Sequence, residues 1–163
     1  PGFTDGDFAI SDSTAIVTYM DAKYTDSPLI PADAESRARV VWFDEFADTI
    51  LTSAAGAMFF NRIVSPKFVG KPGDDAAAAK GETDMGPICA YLEEIIDDGG
   101  FLVGDSLTLA DISVASPFVN AAHAGYVPDA ATYPKLTAYL ASMHSRPSFA
   151  DWIRRERKML GLG

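Results

Sequence analysis

The chain has 163 residues, 48% hydrophobic and 22% charged, a composition that fits one globular domain and excludes a disordered or collagen-like chain. Its 13 basic and 23 acidic side chains give a net charge of -10, which disfavours nucleic acid and anionic membranes as general partners. The single cysteine, Cys89, excludes an internal disulfide and favours a reducing, cytoplasmic location. No apolar run reaches the roughly 18–20 residues that span a bilayer.

The chain opens with a predicted β-hairpin over residues 1–10. Asp5-Gly6 is a two-residue turn signal, because glycine tolerates the positive φ of tight hairpin turns. Phe8 and Ile10 alternate with Asp7 and Ala9 as in a half-buried strand. No other strand is predicted. Because a lone hairpin is marginally stable and has open edges, we expect further strands upstream and hence an N-terminally truncated chain.

Every later element is predicted to be a helix. Asp33 is the predicted N-cap of the second helix, and Gly99-Gly100 is predicted to end the third. Residues 65–87 hold several glycines and prolines and predict a mobile connection, helical at most over 76–79. The predicted helices show apolar residues at helical spacing and span about 13–23, 33–63, 87–98, 108–123, 132–145 and 148–158.

The segment from Leu107 to Ile112 is a dense helix-start signal. Thr108 can accept from the amide of Asp111, and Asp111 can reach back to the amide of Thr108 as in a capping box. Leu107 can pack on Ile112 as a hydrophobic staple. Capping accounts for every residue of the set, so we interpret Asp111 as structural rather than as an active-site carboxylate.

The segment from Ser11 to Ile16 places an acid and hydroxyls where a strand ends and a helix begins. Free amides at a helix N-terminus attract a carboxylate or phosphate, and a neighbouring carboxylate attracts an ammonium group. Asp12 and Ser13 could therefore bind an amino-acid zwitterion. Simple N-capping is the alternative, since both residue types are favoured there.

Other candidate residues have a structural interpretation beside a functional one. Cys89 lies in an apolar helix and is interpreted as buried rather than reactive. His123 and His144 lie in different predicted helices without a cluster of ligands, so no metal site is predicted. The basic residues within 154–158 are interpreted as a solvated helix end, with a phosphate or subunit contact as the alternative.

Motifs along the whole chain, taken in order, resemble those of cytosolic glutathione transferases. Pro1, the turn at Asp5-Gly6 and the segment Ser11 to Tyr19 resemble the second half of that family's thioredoxin-like domain. The run from Phe101 to Ile112 is similar to the capping motif of its helical domain. Two short motifs resemble its last helices, namely Tyr133-Pro134-Lys135-Leu136 and Arg146-Pro147-Ser148.

This resemblance implies an α+β fold, of which the present chain is the mostly α part. Residues 1–25 would be the C-terminal half of a thioredoxin-like, glutathione-binding domain, reduced here to its last hairpin and helix. Residues 26–32 would be a linker, and 33–163 an all-helical domain. The resemblance also implies a homodimer, joined through Tyr19 to Lys23 and Arg37 to Val41.

Carried over by position, Pro1 would be the cis-proline of the glutathione site, although no residue precedes it here. Asp12 and Ser13 would bind the γ-glutamyl group of glutathione, assisted by the amide of Thr14. The residue that activates the glutathione thiolate would lie upstream of Pro1. No catalytic residue is therefore assigned, and the serine, tyrosine or cysteine subclass stays open.

The helical domain would supply the pocket for the second substrate. Phe43, Phe46 and Ile50 are its predicted lining, with core packing or an interface as the alternative for these aromatic residues. The implied reaction is detoxification, in which the glutathione thiolate attacks an electrophilic apolar substrate. The alternative is a non-enzymatic interaction module of the same fold, of the translation-factor or stringent-response type. The pair Asp12 and Ser13 favours the enzyme.

Overall fold

In a computed structural model, which describes residues 1–24, 26–97 and 100–162, the chain forms a two-stranded sheet followed by seven α-helices. Strands β1 (Gly2–Asp5) and β2 (Phe8–Ser11) are antiparallel and pair Asp5 with Phe8. The predicted hairpin is confirmed, but its turn residues are Gly6 and Asp7 instead of Asp5-Gly6. Gly6 has a φ of 61°, which suits the first turn position.

Helix α1 (Ser13–Lys23) has the predicted bounds and packs on the hairpin. The Tyr19 ring stacks on Phe8 with the ring centroids 4.6 Å apart, and its hydroxyl donates to Asp5 at 3.0 Å. Lys23 also donates to Asp5 and lowers the pKa of that carboxyl. These bonds explain why Asp5 remains in the strand and the turn falls one residue later.

A long helix follows, and it continues beyond its predicted end at Ile63. Two α-helical stretches, α2 (Ala34–Phe46) and α3 (Thr52–Phe59), alternate with the π-helical segments Ala47–Leu51 and Phe60–Val69. Asp33 caps α2 as predicted and accepts from the Ser36 amide at 2.9 Å. Pro66 lacks the donor of a regular helix, yet the π-helical segment includes it and ends only at Gly70, whose φ is 70°.

Helix α4 (Asp75–Ile95) corrects the prediction of a mobile connection over residues 65–87. The helix begins at Asp75, directly after its N-cap Asp74 and twelve positions before the predicted start at Pro87. Gly81 is a packing residue, because a Cβ there would lie 2.6 Å from the Ala54 carbonyl oxygen of α3. Glycine at this position therefore allows α3 and α4 to pack closely, and it does not end a helix. Asp98 and Gly99 of the predicted helix end lie outside the described residues.

The last three helices begin and end close to their predicted positions. They are α5 (Leu109–His123), α6 (Pro134–Ser145) and α7 (Pro147–Leu160), and α6 and α7 begin with proline, which suits a first helical position. No helix in the described ranges is long and apolar enough to cross a membrane. One core extends through the helices from α2 to α6. Its largest fully buried apolar side chains are Val40, Leu51, Met58, Met85, Leu92, Val114, Leu136 and Met143.

Asp111 lies fully buried at the start of α5. Its carboxylate accepts from the amides of Thr108 and Leu102, both at 2.9 Å, and from the Thr108 hydroxyl at 3.1 Å. The Tyr139 hydroxyl donates to it at 3.3 Å, and burial with the nearby Asp111 raises the pKa of that hydroxyl. The carboxylate thus joins the segment before α5 to α6.

The buried Cys89 and the half-buried His144 have altered acidity. Burial raises the pKa of the Cys89 thiol, whose sulfur lies 3.4 Å from the Tyr126 hydroxyl. This thiol is therefore a poor nucleophile at neutral pH. Burial lowers the pKa of His144 from its ordinary 6.5, while its Nε2 donates to the Ala115 carbonyl at 2.9 Å.

The acidity of His144 predicts a pH dependence of stability. The folded chain binds a proton on His144 more weakly than the unfolded chain does. The neutral ring therefore contributes to the free energy of unfolding above the ordinary pKa, and this contribution is lost as the pH falls below that value. We expect the free energy of unfolding to decrease less between about pH 7.5 and 5.5 in His144→Gln than in the wild type. Urea unfolding across this range tests it, and parallel curves would contradict it.

Candidate functional site

The candidate site lies where β2 meets α1, and its central residue is Asp12. The Asp12 carboxylate accepts from the Ala15 amide at 3.0 Å and so caps α1. The Asp12 amide donates to the Pro1 carbonyl at 3.3 Å, which places Pro1 beside the start of this helix. The structure therefore brings together Pro1, Asp12, Ser13 and Thr14, the four predicted glutathione-binding residues.

Asp12 has a backbone conformation that capping alone does not require. Its φ of 84° is the only positive value at a non-glycine position in the described ranges. The other two aspartate N-caps, Asp33 and Asp74, have the extended backbone usual for this role, with φ of -71° and -91°. Strained backbone of this kind concentrates at functional sites, where the surrounding structure maintains it.

The first turn of α1 offers unused donors. The Ile16 amide is bonded to the Asp12 carbonyl and the Ala15 amide to the Asp12 side chain. For the amides of Ser13 and Thr14, no acceptor is found within residues 1–24, 26–97 and 100–162. Exposed amides at the positive end of a helix dipole form a site for a carboxylate or another anion.

Two acids of the long helix, which sequence reasoning missed, lie beside this turn. Asp44 of α2 is buried and accepts from the Thr14 hydroxyl at 2.6 Å and from the Ser113 hydroxyl of α5 at 2.5 Å. Its sequence signal is an acid four residues after Val40, on the apolar face of α2. No comparable signal marks its two hydroxyl partners.

Asp48 adds negative charge close to Asp12. Partial burial, together with the carboxylates of Asp44, Glu45 and Asp12, raises the pKa of Asp48. Because Asp12 contributes to this shift, the two carboxylates lie within electrostatic reach of each other. The start of α1 therefore combines donors for an anion with carboxylates for a cation, which is the arrangement that an amino-acid zwitterion requires.

The three predicted pocket residues differ in their exposure to solvent. Phe43 and Phe46 are buried, each 7% exposed, whereas Ile50 is 52% exposed. Phe43 borders a groove of about 370 Å³ between α2 and α4, together with Trp42 and Tyr91. Phe46 lies beneath the Trp42 ring, with the centroids 5.3 Å apart.

Comparison with known proteins identifies the family. A sequence profile described as "Glutathione S-transferase, C-terminal domain" matches residues 59–156. The chain belongs to the glutathione S-transferase family. A glutathione S-transferase of Hyoscyamus muticus is 30% identical over 156 residues, which are 94% of this chain and 73% of that protein. Glutathione S-transferase theta-3 of Mus musculus is 25% identical over 163 residues, and the matched region is 99% of this chain but only 62% of that relative.

Solved structures confirm the fold that the resemblance implied. A glutathione S-transferase from Rhodospirillum rubrum F11 matches with a TM-score of 0.81 and 26% identity, over 91% of this chain and 67% of that one. The chain is thus a mostly α portion of the α+β glutathione S-transferase fold.

Elongation factor 1-gamma of Schizosaccharomyces pombe is also similar in sequence, at 33% identity over 105 residues, which are 64% of this chain and 24% of that protein.

Proposed function

We propose that this glutathione S-transferase family member binds the γ-glutamyl group of glutathione at the start of α1. The amides of Ser13 and Thr14 and the Ser13 hydroxyl would bind the α-carboxylate of that group. The carboxylates of Asp12 and Asp48 would attract its ammonium. The observation that carries this proposal is the left-handed backbone of Asp12, since capping requires only the extended conformation seen at Asp33 and Asp74.

The proposed reaction is attack of the glutathione thiolate on an electrophilic apolar substrate. A free thiol has a pKa of about 8.5, so the reaction at neutral pH needs a group that stabilises the thiolate. None of the residues around Asp12 is proposed for that role. These residues orient glutathione, and holding two reactants in position is itself a large source of rate.

The remaining predictions about the whole protein stay part of this proposal. Residues 1–25 would belong to the glutathione-binding domain, with 26–32 as linker and the rest as the helical domain. Phe43, Phe46 and Ile50 stay the proposed lining of the acceptor pocket, of which only Phe43 borders the groove with Trp42 and Tyr91. A cytoplasmic homodimer with a detoxifying role is proposed on the family resemblance.

Asp12→Asn separates glutathione binding from capping. Asparagine caps helices as well as aspartate does and tolerates a positive φ, so the stability should be preserved while the negative charge is lost. We expect the glutathione dissociation constant of the full-length protein to rise about tenfold, as loss of a charged hydrogen bond predicts. Isothermal titration calorimetry measures it.

Asp33→Asn is the matched control, because it makes the same change at an N-cap with ordinary backbone. Its affinity for glutathione should equal that of the wild type. An affinity for glutathione equal to that of the wild type in Asp12→Asn would show that Asp12 does not contribute to glutathione binding. Ser13→Ala should also weaken binding about tenfold, since the Ser13 hydroxyl is one of the proposed donors.

The second candidate is a non-enzymatic interaction module, and the similarity to elongation factor 1-gamma favours it. A module of this kind would keep the capping of α1 and α5 but would not need glutathione. The full-length protein would then show no heat of glutathione binding at any concentration tested. The same calorimetric experiment therefore decides between the two candidates.

A further inference from the structure

We propose that Asp44 is a positioning residue of the glutathione site, which holds the first turn of α1 in its binding orientation. This inference rests on the proposed function, because the turn it holds is the proposed γ-glutamyl site. Asp44 is not placed in contact with glutathione. It acts through Thr14, the residue that follows Ser13 in that turn.

The geometry of Asp44 joins three helices. One carboxylate oxygen accepts from Thr14 of α1 at 2.6 Å, and the other accepts from Ser113 of α5 at 2.5 Å. Asp44 is 5% exposed, so both bonds lie at the edge of the core. Ser113 belongs to α5, which has ten buried residues and is therefore firmly packed in the core.

Helix α1 needs such an attachment because Val17 is its one apolar side chain that packs against the buried core. None of its eleven residues is buried. Its contacts with the hairpin involve Tyr19 and Lys23, which lie in its second half. The Thr14–Asp44 bond is therefore a specific link at the end of α1 that carries the site, and it fixes how the first turn is rotated about the helix axis.

The charge of Asp44 is unexpected for a purely structural link. No ion pair found in the described residues includes Asp44, so its burial is compensated by hydroxyl donors rather than by a cation. A buried carboxylate carries a large desolvation cost, and apolar residues of similar shape usually pack as well or better. Retaining the charge here is consistent with a requirement for oriented hydrogen bonds beside the site.

The experiment compares Thr14→Val with Thr14→Ser in the full-length protein. Valine keeps the shape of threonine but loses the hydroxyl, so we expect the glutathione dissociation constant to rise about tenfold at a temperature well below the melting point. Serine keeps the hydroxyl and should restore affinity to within about twofold. Thr18→Val is the matched control, since the Thr18 hydroxyl bonds only to the Thr14 carbonyl within α1.

Asp44→Asn and its combination with Thr14→Val complete a double-mutant cycle. If Asp44 acts through Thr14, the two substitutions should not be additive, and the double variant should bind glutathione as weakly as Thr14→Val alone. A lower melting temperature with unchanged glutathione affinity in Thr14→Val would show a merely structural bond and overturn the inference. Additive losses of affinity would also overturn it.

Failure of the inference and failure of the proposed function give different results. If the wild type binds glutathione and Ser13→Ala weakens the binding while Thr14→Val does not, only the role of Asp44 is wrong. If the wild type does not bind glutathione, the proposed function fails and the inference fails with it.

Discussion

Replacing Asp111 with alanine is expected to destabilise the chain by about 4 kcal/mol. The substitution leaves the amides of Thr108 and Leu102 without their acceptor, and each buried donor that loses its partner costs about 1–3 kcal/mol. It also removes the bond from Tyr139 of α6. Domains of this size are stable by about 5–15 kcal/mol, so the loss is a large fraction of the total. Urea unfolding measures it.

Asp33→Ala is the control for this prediction. Asp33 is also an aspartate at a helix start, but it is exposed, and its side chain caps α2 through the Ser36 amide. Loss of an exposed N-cap costs about 1 kcal/mol. We therefore expect Asp111→Ala to lose clearly more stability than Asp33→Ala. Equal losses of stability would show that the buried hydrogen bonds of Asp111 contribute no more than an exposed N-cap does.

Gly81→Ala and Gly86→Ala are expected to change stability in opposite directions, although both lie within α4. A Cβ at Gly81 would lie 2.6 Å from the Ala54 carbonyl oxygen and 3.1 Å from the Ala57 Cβ, so α3 and α4 must separate. Overpacking of this kind costs about 1–3 kcal/mol, and we expect a net loss of about 2 kcal/mol. Thermal and urea unfolding of both variants test this.

At Gly86 a Cβ would meet nothing within 4 Å. Alanine there should stabilise the chain by up to about 1 kcal/mol, because alanine has a higher helix propensity than glycine. Because both variants replace glycine with alanine in the same helix, their comparison separates the effect of close packing from that of helix propensity. Destabilisation of the same size at both positions would contradict the packing role of Gly81.

The parts of the fold that sequence reasoning predicted correctly have local signals. The hairpin, the bounds of α1 and the starts of α2 and α5 depend on turn glycines and capping residues that act within a few positions. The strand end and helix start around Asp12 and Ser13 are predicted for the same reason, whereas glutathione binding there stays a proposal. The backbone strain of Asp12 was not visible in the sequence.

The errors concern residues whose role depends on distant contacts. The glycine at position 81 indicates a break in the sequence, but it contacts Ala54 of another helix and permits a continuous α4. Asp44 could not be assigned from sequence, because Thr14 and Ser113 lie 30 and 69 positions away. Proline at 66 and at 87 likewise lies inside helical segments, where tertiary packing overrides local preference.

Titration of the isotope-labelled full-length protein with glutathione, followed by amide NMR, would show directly whether glutathione binds at the start of α1. We expect the largest shifts at the amides of Ser13 and Thr14, smaller shifts at neighbouring positions and none at the start of α2. Saturable shifts confined to another part of the chain, or no shifts at all, would contradict the claim that α1 begins at a glutathione site.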